Sequence, residues 1–600
     1  MRSTSRHHQM PFGAEPTDGG TRFRVWAPRA ADVSLLLEGC DRSIAMLREP
    51  GGWFSLTTAD AAAGARYRYR VDGKPFPDPA ARSQPLGVHG PSEVVDPRSY
   101  RWTDRGWRGR PWEEIVLYEL HVGTFSETGD FDGVARHLDH LCRLGVPAVE
   151  LMPIAEFPGR RNWGYDGVGL YAPASQYGGP DALKRLVEAC HASGLAILLD
   201  VVYNHLGPEG NYLPAIAPDF FTASRQTPWG SALDFAGPQS RPVRDFFIHN
   251  ALYWLEELHF DGLRFDAVHA IFDETAPDII DEIGATVRRQ ITDRPIHLVL
   301  ENDRNETRRL ARPGRCSAQW NDDLHHALHV LITGETLGFY RDYAADPTAA
   351  LGRALAEGFA YQGEPSSFRD GRPRGEPSAE LPATAFVGFL QNHDHVGNHP
   401  FGSRLAARAG EAALHAGLAI VLLSPQIPLL FMGEEWGSRR PFAFFCDFEP
   451  ALAQAVREGR RREFAHYPEF HDAAARERIP DPTAESTFAM SRLDWAEPAQ
   501  PDHAFWLGRY HALIDIRRRE IVPRLAGLPP FAGRWQVLGP KAVIVEWRLG
   551  DGSRLVLVAN FSAEGVPISA ETQRGRMLYA SAAPGSPLST AVYLSERDPR

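Results

Sequence analysis

The chain has 600 residues, with 64 Lys and Arg against 76 Asp and Glu, a formal net charge of −12. That length predicts about two to four domains. A hydrophobic fraction of 43% with 23% charged residues is ordinary for a globular protein in water, and the acidic balance argues against a nucleic-acid partner.

The five cysteines (Cys40, Cys142, Cys190, Cys316 and Cys446) are scattered, odd in number and without CxxC spacing. That argues against a disulfide framework or a zinc site and fits a reducing cytoplasm. The N-terminus lacks an apolar signal core. The longest apolar stretch, Gly417 to Met432, is broken by SPQIP and reads as a helix followed by a buried strand, so no membrane association is expected.

In chain order, residues 1–110 come first as short alternating runs, TRFRVWAP, VSLLLEG, WFSLTT and RYRYRVDG, separated by Gly, Pro and Asp. This spacing predicts a small N-terminal β-sandwich resembling a carbohydrate-binding module, with Trp26 and Trp53 as candidate stacking surfaces or core.

Residues 111–526 follow a different pattern. Eight apolar runs, IVLYELHV, AVELMP, AILLDVV, GLRFDA, HLVLEN, SAQW, AFVGFLQNH and PLLFMG, are separated by longer segments. Several of these are amphipathic, such as DGVARHLDHLCRLG, DALKRLVEACHASG and VRDFFIHNALYWLEELH. Eight strands alternating with helices predict an α/β fold, a (β/α)8 TIM barrel. Two insertions stand out: 203–241, rich in Gly, Pro and aromatics, and 359–384, which reads as a mobile loop. After the helix HAFWLGRYHALIDIRRRE, the runs WQVLGP, AVIVEWRLG and RLVLVANFS predict a C-terminal β-sandwich over 527–600.

Three carboxylates end apolar runs: Asp266, Glu301 and Asp394. A parallel barrel would gather them at one mouth, where two carboxyl groups can flank a glycosidic bond. The two-residue period of a strand puts Arg264 and Asp266 on one face. Such a pair suits an ionised nucleophile or a purely structural ion pair. Glu301 follows an apolar strand, where desolvation would keep it protonated as a general acid. His205 and His393 also lie at strand ends and are candidates for bonding sugar hydroxyls. Metal ligation is their rival use, but HExxH spacing is absent. Trp163, Tyr165 and Asp166 in NWGYDGVGLYAP offer aromatic faces for a sugar ring or packing under a loop. Phosphate-loop, dinucleotide-binding and nucleophile-elbow patterns are all missing.

Four blocks then carry a resemblance: DVVYNH at 200–205, GLRFDAVHAI at 262–271, LEND at 300–303 and QNHDHVGN at 391–398. In this order the chain resembles the α-amylase superfamily of glycoside hydrolases. The resemblance implies Asp266 as nucleophile, Glu301 as general acid/base and Asp394 as transition-state stabiliser. It implies Asp200 and Asn204 as supports, and Tyr165, Asp166, His205, Arg264, His393, Asn302 and Trp163 around the attacked glucose. No organic cofactor and no catalytic metal are implied. Within the superfamily the chain is most similar to the maltooligosyltrehalose trehalohydrolases. The blocks are 118–134, 162–173, 227–238, 300–306, 431–449 and 481–495. That likeness implies an oligosaccharide partner, maltooligosyl trehalose. There are departures: His395, His399 and Pro400 stand where Gln, Arg and Ala are expected, and Arg404 just beyond is a further candidate to meet the site.

Overall fold

The computed structural model describes residues 7–40, 42–227, 230–310, 315–467, 470 and 472–596. Part of the 227–238 block, Pro228 and Trp229, lies outside them.

The eight apolar runs form a closed parallel barrel. Its strands are β1 (Leu117–Leu120), β2 (Ala148–Leu151), β3 (Ala196–Val201), β4 (Gly262–Phe265), β5 (His297–Leu300), β6 (Ala318–Trp320), β7 (Phe386–Phe389) and β8 (Ile427–Phe431). Every residue of these strands is buried, which is why they read as continuous apolar runs rather than alternating ones. Inside the barrel, Leu117, Ala148, Leu198, Val299, Phe389 and Leu429 form one apolar cluster, with Trp107 and Trp112 packed against it. The apolar packing leaves polar side chains to the C-terminal mouth.

Strand register places the acids. Asp200 of β3 pairs with Arg264 of β4, and Phe265 pairs with Leu300 of β5. The ladder continues one residue past each strand: Asp266 N–H donates to Val201 O at 3.1 Å and Glu301 N–H to Phe265 O at 3.0 Å. Both carboxylates therefore emerge at the same rim.

The covering helices bury one stripe each. Gly179–Ala192 buries Ala182, Leu183, Leu186, Val187 and Cys190, the three- and four-residue spacing of an amphipathic helix. The DGVARHLDHLCRLG segment differs from a single helix. It forms Phe131–Arg136 and Leu138–Leu144, broken at His137, whose ring stacks on Trp495 at 3.7 Å. That contact comes from a residue far along the chain, and local periodicity could not announce it.

At the N-terminal end, two antiparallel sheets enclose Phe23, Leu35, Tyr67 and Tyr69. Trp26 is core: it is 4% exposed, donates to Gly51 O and packs on Phe220 of the 203–241 insertion. Trp53 is half-buried beneath the Arg24 guanidinium, 4.1 Å from its ring. This domain is fastened to the barrel by Arg82, which bonds Glu257 at 2.8 and 2.9 Å and Glu15 at 2.8 Å.

At the C-terminal end, five antiparallel strands run Gly533–Gly539, Ala542–Arg548, Arg554–Asn560, Ser589–Ser595 and Arg576–Ala580 across the sheet. One face meets barrel helices: Trp547 donates to Leu355 O at 3.1 Å and Thr590 to Ala416 O at 3.0 Å. On the other, Val556, Val558, Ala591 and Tyr593 are covered by Leu538 and Ile568. The five cysteines are all free. Among the described residues no helix is long and apolar enough to cross a membrane.

Candidate active site

Arg264 is the organising group. Its side chain is fully buried, and Trp320 of β6 lies under the guanidinium at 4.0 Å. Nη1 donates to Asp200 at 2.7 Å and to Asp266 at 2.9 Å, while Nη2 lies 3.6 Å from Glu301. One cation thus holds three carboxyl groups from three adjacent strands. The Asp266 and Glu301 side chains keep 13% and 15% exposure, so both reach the mouth, whereas Asp200 is sealed at 2%.

Burial pushes the Glu301 carboxyl well above its usual range; Arg264 opposes this, and the charges of Asp266, Asp322 and Asp394 add to it. A protonated carboxyl at neutral pH is what a general acid needs. Glu301 is also held from the side: Ala267 N–H donates to its Oε2 at 2.6 Å. Ala267 achieves this with φ 41°, a left-handed conformation uncommon outside Gly. The strained turn after Asp266 therefore aims a donor at the neighbouring acid.

Asp394 belongs to the short helix His393–Gly397, capped by the Asn392 side chain through Asp394 N–H and His395 N–H. It is the most open of the three acids, 44% exposed and 3.5 Å from His393 Nε2. His393 is fixed by Glu119 of β1, which bonds its Nδ1 at 2.6 Å and its N–H at 3.0 Å. Burial pulls the His393 imidazole down, but the charges of Glu119 and Asp394 outweigh this and lift it to about 9. Tyr165 stacks on His393, and its hydroxyl is 2.5 Å from Asp200 and 2.8 Å from His393 Nε2. Asn204 donates to Asp266 Oδ2 at 3.3 Å.

The structure thus brings together Asp266, Glu301, Asp394, Asp200, Arg264, Tyr165, His393 and Asn204. Other expected contacts stand one layer back. Trp163 is 3% exposed, stacked on Phe442 and edge-on to His393, so it backs the site and offers no open face to a sugar. His205 is buried, with Nδ1 on Asn204 at 2.9 Å and Nε2 on Tyr165 O at 3.0 Å, and so orients two site residues. Asn302 is 1% exposed and shapes its loop through Glu306 and Arg304 N–H. Asp166 accepts from Asn162 at 2.8 Å. Arg404 does not meet the site: it is buried under the β8 loop, donating to Arg440 O and Met432 O.

Sequence reasoning missed Glu119, Trp320, Ala267 and Asp322. Asp322 could have been found. It follows β6 as the named acids follow their strands, and burial lifts it to about 7. The insertion 359–384 is anchored beside Glu301: Arg369 and Arg374 donate to Asp303 O at 2.9 and 2.8 Å, and Gly375 N–H to Arg304 O. A polar cleft of about 450 Å³ opens there, lined by Arg304, Glu306, Arg369, Arg372 and Glu376. Such a lining suits a hydroxyl-rich ligand.

Three stretches of the chain match known protein families. Residues 97–251 match the alpha-amylase catalytic domain, 11–97 match carbohydrate-binding module 48 (isoamylase N-terminal domain), and 530–595 match a domain of unknown function. A malto-oligosyltrehalose trehalohydrolase of Arthrobacter ramosus is 46% identical over 83% of this chain and 87% of its own. One from a Rhizobium species is 43% identical over 86% of this chain and 87% of its own. A crystal structure described as a candidate alpha amylase of Salmonella typhimurium superposes with a TM-score of 0.93 at 44% identity, covering 98% of this chain and 100% of that one.

Proposed function

The chain belongs to the malto-oligosyltrehalose trehalohydrolase family, and from that premise we propose that it cleaves the α-1,4-glucosidic bond next to the terminal trehalose of a maltooligosyl trehalose. The products are trehalose and a shortened maltooligosaccharide. The observation that carries the chemistry is the single buried guanidinium of Arg264 shared by Asp200, Asp266 and Glu301 at the barrel mouth.

Asp266 attacks the anomeric carbon of the glucose preceding trehalose. Glu301, protonated through burial, gives its proton to the departing O4 of trehalose. The covalent glucosyl–Asp266 ester then meets water, which loses a proton to the Glu301 carboxylate and releases the oligosaccharide. As positive charge develops on the ring, the exposed carboxylate of Asp394 stabilises it. Retention requires carboxyl groups roughly 5–5.5 Å apart, and one shared guanidinium supports such proximity. Arg264 holds Asp266 and is itself held by Asp200, which Tyr165 bonds, while Glu119 and His393 hold the rim next to Asp394. The units 1–110, 111–526 and 527–600 act as glycan-side module, catalytic barrel and packing domain, and the protein works in the reducing cytoplasm.

Purified protein is tested on maltotriosyl trehalose and, separately, on amylopectin. Trehalose with maltotriose is expected from the first substrate. Debranching or branching of amylopectin without trehalose release would replace the reading with that of a glycogen debranching or branching enzyme.

A further inference from the structure

Outside the catalytic cluster, the helix Asp322–Thr333 that follows β6 carries His325 and His326 on adjacent positions. The short helix bearing Asp394 carries His395. The three side chains converge: one ring nitrogen from each lies within 4.8 Å of the others. The His325 and His395 ring centroids are 3.5 Å apart, and His326 and His395 5.7 Å apart.

Among the described residues, His326 and His395 each have a ring nitrogen without a partner, and His325 is held in a way that suits a metal. His325 Nδ1 is 2.6 Å from Leu390 O and must donate to it. That leaves a lone pair on Nε2, now facing the Tyr340 hydroxyl at 3.1 Å. A ring N–H given to a backbone carbonyl is the usual outer contact of a metal-bound imidazole. His326 is 92% buried, and its Nδ1 finds no hydrogen-bond partner among the described residues; neither does the buried Nδ1 of His395. Burial holds all three rings well below the usual histidine range, so they are neutral at physiological pH, and neutral imidazole is the ligating form.

We propose that His325, His326 and His395 form a binding site for a borderline-soft divalent transition-metal ion, of which Zn²⁺ is the representative. Three imidazole donors without a carboxylate select zinc, cobalt, nickel or copper over calcium or magnesium. The fourth position is left to a water. The site is separate from the reacting acids, yet His395 adjoins Asp394, so the ion would clamp the Asp394 turn to the helix after β6.

The test uses the full chain after chelator treatment, with Zn²⁺ competed against a chromophoric indicator and Co²⁺ binding followed by its visible absorption. One tight equivalent is expected, with a tetrahedral-type cobalt spectrum and a raised melting temperature on adding Zn²⁺ but not Ca²⁺. His395→Gln and His326→Gln should each lose the equivalent, the spectrum and the melting shift, while remaining folded without metal. His89→Gln, in a separate group with Glu209 and Glu449, should keep all three. Absence of a stoichiometric ion, unchanged binding in both cluster variants, or loss of binding in His89→Gln would overturn the proposal.

Discussion

Two buried arginines in this molecule make the same kind of cluster and serve different ends. Arg82 bonds Glu15 and Glu257 where the N-terminal domain meets the barrel, and all three side chains are at most 7% exposed. Arg264 bonds Asp200 and Asp266 and approaches Glu301 at 3.6 Å, and there the last two carboxyls open to the mouth at 13% and 15%. The Arg82 carboxylates face their cation inside a closed seam and hold two domains together. The Arg264 carboxylates are held by the cation from behind and present their free side outward. Ion pairing alone therefore does not mark a catalytic site; a paired acid that still reaches solvent at a barrel mouth does.

Crossing the two clusters should separate chemistry from stability. Asp266→Asn is expected to lower kcat by on the order of 10⁴-fold or more while the protein stays folded, since the amide keeps the size of the carboxylate and Arg264 keeps Asp200 as its buried partner. Glu301→Gln should cost about 10²–10⁴-fold for the loss of general acid/base catalysis. Steady-state kinetics paired with thermal melting checks both, and near-normal turnover in either variant would break the comparison. Arg82→Ala should behave in the opposite sense. Two buried carboxylates lose their cation, and stability measured by denaturant unfolding should fall by about 3–5 kcal/mol, with kcat largely retained in the folded fraction.

A smaller effect tests the rim. His393 is lifted from 6.5 to about 9, so its contribution to stability is fully present below pH 6.5 and is lost as pH rises through about 9. Replacing Glu119 with Gln removes the charge that does most of the lifting. The variant should therefore lack the wild-type decline in melting temperature across that window. An identical slope in both proteins would show that Glu119 does not set the His393 charge. The smallest effect is expected at Asp322, whose charge helps keep Glu301 protonated. Asp322→Asn should move the alkaline limb of the kcat/KM profile acidward, by less than about one pH unit.

The same contrast explains what could be read from the chain. The eight barrel strands were legible because each is a mostly apolar run, buried on both faces and closed by turn residues. The pairing of Arg264 with Asp266 followed from strand period, and the strand-end position of Asp266, Glu301 and Asp394 was visible directly. Glu119 and Trp320 were hidden, because in a strand buried on both sides the residue pattern does not tell which face lines the barrel. Trp163 was legible as an aromatic but not as a buried one: the residues that cover it, Phe442 and Phe444, come nearly 300 positions later. Arg82 lies 175 residues from Glu257, and no local signal announces a partner at that separation. The break at His137 is of the same origin, a stacking partner at Trp495.

The most direct test of the central claim, that Asp266 and Glu301 cleave with retention and release trehalose, is proton NMR of the first turnover products from maltotriosyl trehalose. Free trehalose should appear together with maltotriose in its α-anomeric form, before mutarotation mixes the anomers. Initial β-maltotriose would contradict the double displacement through Asp266, and products without trehalose would contradict the bond assignment.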